Sequence, residues 1–303
     1  MIVRPNLHWL RMLFVLRGSV LPKIAPQLIA ATAFATLVTW LHGSILSWKV
    51  SLNFVPFSLI GLTLAIFLGF RNSTSYARYW EARTLWGTVL NGSRTLVRQA
   101  LTLTSDQKST AVLVNRLCAF PHAMKHQLRR TDARADLEKF LPPAECNRVA
   151  SATFPANMTL LLVGEWLGDR LRGGSIQPVM ETSFERPLEV LTAAIGGCER
   201  IASTPIPFTY SVIVHRSVYL YCFWLPFGLL DAIGTMTPVI VCFIAYTFFA
   251  LEALGAEIED PFGEAPNDLA LNAMAHMIET SLLEMVNEKP RTIRPEVKDF
   301  VLL

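Results

Sequence analysis

Long runs without a formal charge constrain this chain more than any other feature. Ile24 to Leu41 is 18 residues and Phe54 to Phe70 is 17, both free of Asp, Glu, Lys and Arg. At the rise of an α-helix the second spans about 26 Å, close to the hydrocarbon thickness of a bilayer. Two more runs, Ser217 to Leu230 and Ile233 to Leu251, are separated only by Asp231 and its neighbours. Ile206 to Val214 is also apolar, so the third span can begin there, with Arg216 in or near it. Four transmembrane helices are the simplest reading.

Basic residues set the expected orientation. Between Ile24 and Phe70 stands Lys49 alone, and between Ser217 and Glu257 there is none, although the chain holds 27 Lys and Arg. Arg4, Arg11, Arg17 and Lys23 precede the first run; Arg71, Arg78, Arg83, Arg94 and Arg98 follow the second. The positive-inside rule then puts both termini and the segment 71–205 in the cytoplasm, with short outer loops at about 42–53 and 231–237. The first run ends Thr-Trp-Leu-His, without the small residues of a cleavage site, so it reads as a retained span. Trp9, Leu10, Leu13, Phe14 and Leu16 interleave with Arg11 and Arg17, the pattern of a helix lying in the membrane interface. The expected organisation is an interfacial segment 1–23, membrane helices over 24–70, a helical cytoplasmic region 71–205, membrane helices over 206–256 and a cytoplasmic segment 257–303. Within 71–205, Leu-Pro-Pro at 141–143, Gly173-Gly174 and Gly196-Gly197 read as punctuation, and Leu160 to Leu167 as a buried helix of the soluble part.

Function classes fall away quickly. Net charge is only +3 with no long basic block, which argues against a nucleic-acid partner. Five cysteines, without a CxxC pair, give neither a disulfide scaffold nor a zinc ribbon. No phosphate-binding glycine loop, HExxH or GxSxG is present, so nothing points to an enzyme or a cofactor. Cys118, His122 and His126 are spaced four apart, which stacks them on one helical face as a zinc site requires. Pro121 interrupts that helix and no glutamate supplies a base, so a packed or solvated face is the favoured reading. Glu257, Glu259 and Asp260 read as a charged boundary between membrane and cytoplasm.

The second run carries the most suggestive pattern. Leu59, Leu62, Ile66, Phe70, Ser73 and Ala77 share one helical face, and Gly61, Ala65 and Gly69 form a neighbouring small-residue stripe suited to close helix contact. The span is apolar all round, so periodicity leaves open which face would line a pore. Four helices without an intramembrane ionisable cluster make a poor monomeric transporter, and a conduction path would need several subunits each giving one helix.

Three stretches together bear a family likeness: LGF at 68–70 with RYWEAR at 78–83, GGCERIASTPIPFTY at 196–210, and EIEDPFGEAPNDL at 257–269. The sequence resembles the bestrophin family, specifically its bacterial members, over nearly its whole length. The resemblance implies an all-α integral membrane protein, four transmembrane helices and a large helical cytoplasmic region per subunit. It implies a homopentamer around one central pore, in the inner (plasma) membrane. Matched through LGF, a hydrophobic neck falls on Leu62, Ile66 and Phe70, where a narrow apolar ring gates by staying dry. A second, cytoplasmic constriction is expected at Met180, with Ile176 as the reserve.

One departure matters. Calcium-activated animal members carry a run of acids after PFG; here the run is Glu264, Ala265, Pro266, Asn267 and Asp268, so two acids remain and Ala265 replaces a ligand. Calcium wants six to eight oxygens, so the clasp reads as degenerate and the channel as insensitive to calcium. Asn267 and Asp268 are instead expected to cap a helix starting at Leu269. Glu257 and Glu259 near the cytoplasmic mouth tilt the expected selectivity toward monovalent cations such as sodium. An anion channel of the same family is the alternative, and a carrier or scaffold is the non-channel one.

Overall fold

The computed structural model describes the chain except residues 6, 7, 17, 43, 46, 47, 50 and 51, and except the side chains of 44, 45, 48, 49, 54, 107 and 108. Arg17 and Gly43 therefore lie outside the described residues, as does much of the outer loop expected at 42–53. In chain order the helices are α1 (Trp9–Met12), α2 (Leu21–Trp40), α3 (Phe54–Leu103), α4 (Gln107–Arg129), α5 (Arg134–Leu137) and α6 (Pro143–Ala150). They continue with α7 (Pro155–Arg172), α8 (Glu181–Ser203), α9 (Phe208–Ile233), α10 (Thr237–Glu259) and α11 (Leu271–Glu284). Short 3₁₀ turns at Pro178–Met180 and Gly234–Met236 lead into α8 and α10. Two two-residue strands, β1 (Ser44–Ile45) and β2 (Trp48–Lys49), pair antiparallel as a minimal ribbon between α2 and α3.

Among the described residues, three helical stretches are long and apolar enough to cross a membrane: Leu21–Trp40, Val55–Leu103 and Phe208–Glu259. The third comprises α9 and α10, divided by the turn at Gly234, whose φ of 55° a side chain would strain. The second run does not end its helix at Phe70. α3 runs for 50 residues, about 75 Å at helical rise. No proline follows Pro56 within it, and Thr63, Thr74, Thr84, Thr88, Thr95 and Thr102 each donate a hydroxyl to the carbonyl four residues back. Polar residues beyond Phe70 are thus accommodated without breaking the ladder.

The chain divides into two compact units. One comprises Arg4–Tyr79 and Pro205–Asp260, holding α1, α2, the first half of α3, α9 and α10. Its core packs Phe57, Leu64 and Leu68 of α3 against Val218, Tyr221 and Leu225 of α9 and Val241, Ala245 and Phe248 of α10. The Tyr221 and Phe248 rings meet edge-on at 5.3 Å. This unit ends at Tyr79, not at Phe70, because Arg71 and Arg78 on the polar turns of α3 are bound to α10.

The other unit comprises Met1–Val3, Trp80–Thr204 and Pro261–Leu303. Trp86, Leu113, Leu117, Phe120, Leu162 and Phe184 are buried in its core. α7 buries Leu160, Leu162, Val163, Trp166 and Leu167, as expected from the sequence. Arg116 makes a bidentate pair with Glu145, joining α4 to α6. The chain ends meet here: the Met1 ammonium donates to the Leu302 carbonyl at 2.7 Å.

Two expected breaks are absent. α4 continues through Pro121, and α8 continues through Gly196-Gly197. At Gly197 the reason is packing: a Cβ there would lie 2.7 Å from Leu85 Cδ1, so the missing side chain lets α3 and α8 close up.

Candidate pore-lining site

The first half of α3 has two faces with opposite fates. Leu64 is 5% and Leu68 0% exposed, and both belong to the core of their unit. Leu62, Ile66 and Phe70 are 62%, 50% and 65% exposed, so the chain itself leaves this apolar stripe uncovered. Leu59, Ser73 and Ala77 on the same face are exposed too. Contiguous uncovered apolar surface on one helix face calls for lipid, another subunit or a dry lumen to cover it. The small-residue stripe splits: a Cβ on Gly61 would sit 2.8 Å from the Tyr221 hydroxyl, whereas Gly69 meets nothing.

Just past this face the charges are spoken for. Glu257 is buried and pairs with Lys23 at 3.2 Å. Glu259 pairs with Arg71 at 3.5 Å and accepts the Ile206 amide N–H at 3.1 Å. Acids engaged inside one unit are neutralised where they stand, and the argument that they tilt a pore toward cations loses its footing.

At the second expected constriction, Ile176 is fully buried and cannot project into a lumen. Met180 is half-buried. The side chain that leaves this turn is Val179, 77% exposed between Pro178 and Met180. The sequence reading named Met180 and Ile176 here and not Val179, which follows the proline that opens the 3₁₀ turn before α8.

The segment after PFG is a closed polar loop. α11 begins at Leu271 with Ala270 at its N-cap and no side-chain cap, so Asn267 and Asp268 do not cap it. Asp268 is buried and accepts the Ala265 amide N–H at 2.7 Å, turning the loop on itself. Arg129, from the last turn of α4, donates to the carbonyls of Phe262 (3.2 Å) and Gly263 (3.1 Å) and to Asn272 Oδ1 (3.2 Å). It also approaches Glu264 Oε1 at 3.4 Å. A guanidinium thus occupies the oxygens a calcium clasp would recruit, and the residues present do not fit that ion.

The Cys118, His122, His126 face is buried structure. Burial excludes Cys118 from water and pushes its thiol pKa up. His122 lies between Asp136 Oδ2 (3.4 Å) and Glu279 Oε2 (3.5 Å), while His126 Nε2 meets the same Asp136 oxygen at 3.0 Å. Lys125 Nζ takes that oxygen at 2.7 Å. Among the described residues, no group of three or more His, Cys, Asp or Glu is placed to hold a metal ion. The cluster instead ties α4 to α5 and α11.

Comparison with known proteins bears on this arrangement. The family model for bacterial and fungal bestrophin proteins matches residues 1–284. The chain belongs to the bestrophin family. A voltage-dependent anion channel-forming protein of Ralstonia nicotianae is 48% identical over 305 residues, covering all of both chains. The voltage-dependent anion channel-forming protein YneE of Escherichia coli is 42% identical over 298 residues, 98% of each chain. Among solved structures, a point variant of a bacterial bestrophin homologue from Klebsiella pneumoniae superposes with a TM-score of 0.85 at 42% identity, over 88% of this chain and 100% of that one. Among its described residues this bestrophin is therefore all-helical apart from its β1–β2 ribbon, and its apolar helices mark it as a membrane protein. The names of its relatives favour the anion alternative over the cation expectation.

Proposed function

We propose that this bestrophin is the subunit of a homopentameric ion channel that passes anions through a central pore lined by α3. The observation that carries the reading is the end-to-end similarity to proteins named for forming anion channels. The uncovered stripe of Leu62, Ile66 and Phe70 supports a hydrophobic neck, since fivefold repetition would bring these side chains into stacked apolar rings. Val179 is the second constriction in this reading. α2, the apolar part of α3, α9 and α10 supply four membrane crossings, with both termini in the cytoplasm of a cell bounded by its inner (plasma) membrane.

The test is the current of purified protein in planar bilayers under a salt gradient. The reversal potential is expected near the equilibrium potential of chloride; a value near that of sodium would reinstate the cation reading. In the same bilayers, micromolar calcium on the cytoplasmic side should leave open probability unchanged, because Arg129 and the Ala265 N–H already take the available oxygens. A steep calcium response abolished by Asp268→Ala, with assembly intact, would refute this.

Topology has its own check. A cysteine introduced at Thr235 should react with a membrane-impermeant reagent applied outside intact cells, and one at Lys298 should not. Labelling at Lys298 from outside would reverse the orientation.

A further inference from the structure

Arg71 is the first residue past Phe70, and its side chain is 5% exposed. A guanidinium stays charged in proteins and offers five donors, so its burial demands partners. α10 supplies two. Glu252 Oε1 stands 3.6 Å from Nη1 and Glu259 Oε2 stands 3.5 Å from Nη2. The two acids are seven residues apart, two turns on one face of α10, and the guanidinium bridges them.

These separations exceed those of a tight charge-assisted hydrogen bond, about 2.7–2.9 Å. Arg71 Nε and Nη1 have no hydrogen-bond acceptor in reach. The clasp therefore holds by charge more than by fixed hydrogen bonds, which lets a small sliding of α3 along α10 tighten or release it. Close approach is built in: a Cβ on Gly255, between the two acids, would lie 2.3 Å from Asn72 Oδ1.

Each end of the clasp reaches further within this unit. Glu259 Oε1 accepts the Ile206 N–H where the chain enters α9 between Pro205 and Pro207. The Glu259 carbonyl accepts Arg78 Nε at 3.2 Å, two turns along α3. His215 Nδ1 of α9 meets Glu252 at 3.2 Å. The Tyr210 hydroxyl donates to the Phe67 carbonyl at 2.9 Å, one turn before Phe70.

We propose that Arg71, held between Glu252 and Glu259, is a positioning residue for the gate: the clasp holds the turn of α3 that carries Phe70 in the closed arrangement, and releasing it shifts the population toward the same open neck. The proposal rests on the channel reading above. Arg71 acts from behind the helix. Its buried side chain lies about 100° around α3 from Phe70, so it adds no charge to the lumen.

Purified full-length protein in planar bilayers tests this, comparing wild type with Arg71→Lys, Arg71→Gln, Glu252→Gln, Glu259→Gln and the double variant Arg71→Gln/Glu252→Gln. Each single carboxylate neutralisation is expected to raise open probability about ten-fold, since the lost attraction favours the held state. Single-channel conductance and reversal potential should stay unchanged. Arg71→Lys should fall between wild type and the Glu→Gln variants. The double variant should show less than the product of the single effects, because both changes break one interaction.

A merely structural role would lower the yield of assembled protein without moving open probability, and that result would overturn the proposal. So would conductance and selectivity changing along with open probability, which would place these charges in the lumen. If the double variant fails to assemble, Glu252→Gln and Arg71→Lys decide alone, since each leaves a charged partner in place. A wild type that never conducts would overturn the channel reading, and this proposal with it; a conducting wild type matched by every variant would overturn the clasp only.

Discussion

Phe70→Ala is expected to raise channel current roughly ten-fold, by opening the widest gap in the apolar neck. A dry ring blocks ions because water leaves a narrow hydrophobic lumen. In the proposed pentamer, removing a phenyl group from each subunit would widen the ring and lower the cost of wetting it. Ile66→Ala and Leu62→Ala should act in the same direction with smaller effect, following the size of the group lost. These side chains are uncovered within the chain, so truncation should cost little folding stability. Leu68→Ala, two residues away, should do the reverse. It empties a fully buried site and should cost about 2–5 kcal/mol without easing conduction. Leu64 is buried as well, so the matched control on an exposed face is Ile60→Ala. Single-channel recording beside thermal unfolding separates the two kinds of variant. Equal currents for Phe70→Ala and Ile60→Ala would remove the case for a gate at this ring.

Glu279→Ala should destabilise the unit that holds α4 to α8 and α11 by about 3–5 kcal/mol, the cost of stripping one partner from a buried ionic network. Glu279 is fully buried in α11, faces His122, and accepts the N–H of Thr292 at 2.9 Å as well as that of Arg291. Burial by itself would raise its pKa. The nearby His122 ring and hydrogen bonds from the Thr292 hydroxyl and the two backbone amides outweigh burial and hold the carboxyl at about 2. Asp136 is also held below the usual carboxylate range, by His122 and His126 first. Carboxylates with depressed folded-state pKa values contribute stability that is fully present above the unfolded value of about 4.5 and lost as pH falls toward 2. Wild-type protein should therefore unfold progressively over that window. The Glu279→Ala variant should be less stable at neutral pH and show a shallower acid dependence, read from thermal midpoints across pH. An unchanged midpoint at neutral pH would mean that the network carries no net stability.

Much of the architecture was legible in one dimension. Apolar runs of 17 or 18 residues report membrane-crossing helices because the bilayer offers no partner for an open backbone, so length and lack of charge suffice. The neck stripe was legible as a helical face, since 3.6-residue periodicity places Leu62, Ile66 and Phe70 together whatever the rest of the chain does. Which face they formed was not, in a span apolar all round. The family resemblance named that stripe, and the structure adds that Leu64 and Leu68 pack into the core while Leu62, Ile66 and Phe70 stay uncovered.

Helix boundaries show the same division. Glycine pairs and proline lower local helix propensity, and on that basis Pro121 and Gly196-Gly197 read as breaks. Packing overrode propensity at Gly197, where Leu85 needs the space. Asp268 had the residue type of a helix cap, yet the chain closed a loop on Ala265 before α11 began. The polar constellations were the least legible. Arg71 and Glu259 are 188 positions apart, as the numbering shows, and His122 and Glu279 are separated by 157. The sequence by itself determined a helical membrane chain with a particular apolar stripe, because those properties depend on neighbours within a few turns. Only the tertiary structure decided which charges are partnered and which face of α3 packs against α9 and α10, because a buried charge takes its partner from whichever helix packs beside it.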